Sequence, residues 1–85
     1  MMTPREVERA RQDIADARDA MRHAIATDAR LQNICNEDEP DASAVDLLGD
    51  KLIDAVAAAS VAVAVARLAR RRLLTAGLPL HKVAA

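Results

Sequence analysis

The 85-residue chain contains no Phe, Tyr or Trp. Aromatic side chains bury the most area per residue, so any core must be assembled from Leu, Ile, Val, Met and Ala. The same absence removes the rings on which single-strand nucleic-acid binders stack bases. Gly49 and Gly77 are the only glycines, too few to build a phosphate-cradling loop. The single cysteine, Cys35, excludes an intramolecular disulfide and a zinc site made of cysteines. With a net charge of -1 there is no global attraction to nucleic acid or anionic lipid, and any such binding has to be local. There is no Ser-His-Asp set and no ordered acid-base pair, so no catalysis is expected and no cofactor is implied.

What is present is aliphatic and small. Hydrophobic residues make up 52 % of the chain, but 20 of them are alanine. A domain of this size buries only about 60 to 65 % of the surface its unfolded chain exposes, so the core is marginal alone. Self-association or a host assembly is the expected remedy. The first residues lack the apolar core of a secretion signal, and a reducing, cytoplasmic setting is expected.

Thr3-Pro4-Arg5-Glu6 has the parts of a helix start: Thr3 as N-cap, Pro4 at the first helical position and Glu6 placed to reach back. From there Val7, Ala10, Ile14, Ala17, Met21, Ala24, Asp28, Leu31 and Cys35 recur at steps of three and four. This predicts a helix over about 4–36 with a heptad seam broken only by Asp28. The acidic segment NEDEPDAS follows as a loop, about 37–42. A second helix, about 43–76, begins after Asp41 or Ser43 as cap and ends at Gly77, with Pro79 beyond. Its seam runs through Val45, Leu48, Leu52, Ala55, Ala59, Ala62, Ala66, Ala69, Leu73 and Ala76.

Within it, SVAVAVAR alternates with the period of a strand. No turn residue from Lys51 to Ala76 admits a change of structure, and alanine disfavours a strand, so the segment reads as helix. The uncharged run from Ala55 to Ala66 is shorter than the roughly 20 residues of a membrane span, and no membrane partner is expected. It is nevertheless apolar on every side, which one partner helix cannot cover.

Two long helices and a short loop predict an all-α antiparallel hairpin, followed by an extended tail, 77–85. With the loop centred near Glu39, Asp28 falls opposite Lys51, Arg30 near Asp50, Arg22 near Asp54, Glu8 near Arg71 and Asp13 near Arg67. Self-association into a four-helix bundle or larger assembly is expected through Ile14, Met21, Val56, Ala59, Ala62, Val63 and Ala66. Leu78 is expected to fold back on Leu73 or Leu74, and Leu80 and Val83 to dock on a neighbouring subunit or partner.

Arg67, Arg70, Arg71 and Arg72 form the one basic cluster. They suit phosphate contacts, but with no aromatic and no recognition motif beside them they read rather as the end of a helix whose dipole prefers cations, paired with Glu6, Glu8 and Asp13. Asp46, Asp50 and Asp54 are spaced one turn apart, and Asp16, Asp19 and His23 line part of the first helix. Carboxylates on facing helices can hold a divalent ion, but bundle metal sites project inward from several helices, and these aspartates flank the seam. The sequence therefore favours a non-catalytic assembly or adaptor subunit whose partners are itself and another protein. A small nucleic-acid-binding regulator using the arginines, and a metal-dependent enzyme using the aspartates, are the alternatives.

Overall fold

A computed structural model describes residues 1–81 and places them in two helices, α1 (Pro4–Cys35) and α2 (Ala42–Thr75), packed as an antiparallel hairpin. Local chemistry explains the boundaries. The Thr3 hydroxyl accepts from the Glu6 amide at 3.2 Å and the Glu6 carboxylate accepts from the Thr3 amide at 3.4 Å, a reciprocal capping box with Pro4 inside it. Of the two candidate caps for α2, Asp41 serves: its carboxylate accepts from the amides of Ser43 at 2.9 Å and Ala44 at 3.4 Å.

The far end of α2 closes at Gly77, whose φ is 71°. The Gly77 amide donates to the Leu74 carbonyl at 3.0 Å and the Leu78 amide to the Leu73 carbonyl at 2.9 Å. These are the paired bonds of a Schellman motif. A Cβ on Gly77 would meet nothing within 4 Å, so the backbone angle alone calls for glycine. Between its caps α2 is unbroken helix through the valine-alanine alternation.

The hairpin is held along a seam of small side chains. Ala10 and Ala17 from α1 and Ala55, Ala59 and Ala69 from α2 are buried, and among the described residues only Leu48 and Leu73 add large side chains to the buried set. Leu73 is 0 % exposed, enclosed with Ala10 and Ala69 in a cluster on which Met2, Val7, Ile14, Leu78 and Leu80 pack. Leu78 thus folds back as its position after the cap predicts. Leu80 does not wait for a neighbour: it lies on its own hairpin, held there because the Arg11 Nε donates to the Pro79 carbonyl at 3.2 Å. The docking expected of Val83 lies outside the described residues.

Three features of the seam depart from the sequence pattern. Thr27, at 4 % exposure, takes the buried place beside Asp28, because its hydroxyl donates to the His23 carbonyl at 2.9 Å and so carries no unpaired donor inward. At the end of α1 the half-buried residue is Ile34, and Cys35 is exposed rather than a buried small hydrophobe. Ala76, assigned to the seam, is the exposed C-cap of α2.

The antiparallel direction is as expected, and Glu6 and Arg72 pair across the hairpin within one residue of the anticipated register. The other cross-helix pairs are not formed among the described residues. Asp13 pairs with Arg9 at 3.1 Å, Asp19 with Arg22 at 3.6 Å, and Asp28 accepts from Gln32 at 2.9 Å. A partner one turn away on the same helix is only about 5 to 6 Å distant at Cβ, nearer than the flank of the facing helix.

Two substitutions test this account. Leu73→Ala empties the one fully enclosed large side chain and should cost about 2 to 5 kcal/mol in chemical denaturation. Gly77→Ala should cost about 1 kcal/mol, through the left-handed backbone alone.

Candidate interaction surface

Alanines in the seam leave the large aliphatics outside. The molecule is a single layer of two helices, 57 Å long, 25 Å wide and 16 Å thick, so both of its broad faces are open. Along α2, Ile53 and Val56 are exposed on one flank, and Val61, Val65 and Leu68 on the other. With 3.6 residues per turn, Val56 and Val65 point in opposite directions. The first flank continues onto α1: Met21 and Ile25 face Val56 and Val63 across a shallow groove floored by Ala24 and Ala59. Ile25 and Ile53 are each 68 % exposed.

The residues expected at an oligomer interface divide accordingly. Ala59 is buried, and Ala62 and Ala66 half-buried, within the hairpin itself, so they serve the intramolecular seam. Met21 and Val56 are exposed and Val63 half-buried along the groove, and Ile14 is half-buried in the neighbouring hollow with Leu80. The sequence pattern overlooked Ile25 and Ile53, because a heptad count assigns them to the polar side of their helices.

By length and composition α2 can cross a membrane: an 18-residue window has a mean hydropathy of 1.9, and 17 % of it is buried. The expectation that the apolar run is too short rests on the uncharged stretch alone; a window that tolerates two charges is longer. Compared with protein-family models, curated proteins and solved structures, the chain matches none.

Of the four arginines, Arg72 donates to the Glu6 carboxylate, Arg67, Arg70 and Arg71 line a shallow pocket with Leu74 and Thr75, and Arg71 also borders a second hollow beside Arg72. Among the described residues Arg67, Arg70 and Arg71 form no ion pair, and neither do Asp46, Asp50 and Asp54. Nor do any three His, Cys, Asp or Glu side chains among the described residues converge as a metal site would require. Asp46, Asp50 and Asp54 are exposed in succession along α2, and Asp16, Asp19 and His23 are likewise exposed on α1.

Hydrogen bonding from Thr3, then from Arg72, holds the Glu6 carboxyl below the ordinary glutamate value of 4.5. A carboxylate whose pKa falls on folding adds stability above its unfolded pKa, and that stability is lost as pH drops through the folded value. Glu6→Gln should therefore lower the melting temperature at neutral pH, and the gap from the parent should close as pH falls below 4.5 in melts followed by circular dichroism.

Proposed function

We propose that this chain is a helical assembly or adaptor subunit that acts through protein-protein contacts made by α2. One observation carries the reading: the middle of α2 presents large aliphatic side chains to solvent on both flanks, with Ile53 68 % and Val61 67 % exposed. Contiguous apolar surface of this kind marks an interaction site. One flank suits a second copy, and the other a further copy or a different protein, which is the geometry an adaptor needs.

Lipid is the competing cover, since α2 meets the length and composition of a span. The position of α1 argues for protein. Asp13, Asp16, Arg18, Asp19 and Arg22 lie alongside the apolar part of α2, and inserting the hairpin would carry them into the bilayer at about 2.5 to 3.5 kcal/mol each. Nucleic-acid binding through Arg67, Arg70 and Arg71 has less support, because no aromatic accompanies them. The aspartates support metal chemistry less still, as they gather no third ligand.

Light scattering coupled to size exclusion tests the reading. At micromolar concentration the chain should elute as a dimer or larger, without detergent and without floating with liposomes. A well-folded monomer, or a chain recovered only with vesicles, would show the assembly role to be wrong.

A further inference from the structure

Resting on the self-association proposed above, we propose that the groove face of the hairpin binds a second copy end over end, about a two-fold axis through Ser60, with loops at opposite ends. Residues seven apart in α2 lie along one line of the helix surface. Three neighbouring lines cover the exposed flank: Asp46, Ile53, Ser60, Arg67 and Leu74; Gly49, Val56, Val63 and Arg70; Asp50, Ala57, Ala64 and Arg71. Acid or small residues stand at one end, apolar or small ones in the middle, and arginine towards the other. Reversing such a helix against itself about Ser60 sets Asp50 opposite the partner's Arg71, and Val56 opposite the partner's Val63. Arg67 then lies over the partner's Ile53, within a turn of the partner's Asp50. Ser60 is small and its hydroxyl already donates to the Val56 carbonyl at 2.9 Å, so it enters an apolar contact without an unpaired donor.

The rest of the face agrees. The Glu6 to Arg72 pair places the same axis near Arg18 of α1. Ile14 then comes within one turn of the partner's Ile25, and Arg11 within one turn of the partner's Asp28. Leu80, which lies beside Ile14 and Arg67, comes near the partner's Ile53. On this face Ile25, Val56 and Ile53 thus each gain an apolar neighbour from the partner, while Val61, Val65 and Leu68 stay on the opposite face.

The other two-fold arrangement, with both loops at one end, stacks α2 on the partner's α1. It sets Arg67 against the partner's Arg11 and Asp50 against the partner's Asp28, like charges at both ends, which costs affinity. Area does not limit either one. A layer 57 Å by 25 Å offers on each face more than the roughly 800 Å² per partner of a standard stable interface.

A charge exchange tests the register. Asp50→Arg and Arg71→Asp lie on exposed positions away from the Glu6 to Arg72 pair, and circular dichroism should show each as helical as the parent. Each variant alone should associate at least tenfold more weakly, and an equimolar mixture should recover parental affinity as a heterodimer, because both ends again pair opposite charges. A spin label on the exposed Cys35 supplies an independent measure. End over end, the two labels lie about 51 Å apart at 1.5 Å per residue, whereas with loops together they lie within about 20 Å. If the parent associates but the mixture gains nothing, or the labels are close, the register is wrong and the assembly role stands. If the parent is monomeric, both fall.

Discussion

Close approach of two alanine-lined helix faces is the constraint on which the rest of this structure depends. Without an aromatic residue, the chain has no side chain that fills a wide gap between helices, and Ala10, Ala17, Ala55, Ala59 and Ala69 instead let the backbones come together. The hydrophobic area enclosed by methyl groups is modest. Among the described residues Leu48 and Leu73 are the only large side chains in the buried set, and the capping box, the Schellman turn and the tail folded over Leu73 gather at one end, around the more fully enclosed of the two.

The exposed aliphatics follow from the same constraint. Alanine takes most of the seam, so that among the described residues Leu48 and Leu73 are the large aliphatics buried between the helices, and the two-helix layer leaves Ile25, Ile53, Val61 and Leu68 outside. Their distribution is uneven: α1 keeps charged residues through most of its outward surface, whereas the middle of α2 has none between Asp54 and Arg67. Apolar surface is therefore concentrated on one helix and flanked by opposite charges at its two ends. Such an arrangement is costly for an isolated hairpin and well suited to a subunit whose cover comes from outside.

Charge has a supporting role. The ion pairs lie on the surface and are mostly between residues one turn apart, a class worth only a few tenths of a kcal/mol each. The cross-helix pair of Glu6 and Arg72 joins the start of α1 to the end of α2, ends that the short loop between the helices already brings together. Among the described residues, Asp46, Asp50 and Asp54 towards one end of α2 and Arg67, Arg70 and Arg71 towards the other form no ion pair, and they bear on what approaches it.

The sequence by itself determined the helices, their direction and their ends. Thr3, Pro4 and Glu6, Asp41, and Gly77 with Leu78 act through bonds to backbone groups a few residues away, so their consequences are legible without a fold. The period of Ala and Leu likewise identifies the inner face of α2 almost residue by residue. Tertiary structure decided what depends on distances across the hairpin. It set Thr27 inside in preference to Asp28, kept Asp13 and Asp19 with partners on their own helix, and laid Leu80 on the cluster around Leu73. It also assigned Ala59, Ala62 and Ala66 to the intramolecular seam while leaving Ile25 and Ile53 outside. A heptad count names the residues that favour contact with another helix; which helix they meet is decided by how the first pair packs, and here that seam is mostly alanine, with Leu48 and Leu73 enclosed in it and Ile25 and Ile53 left outside.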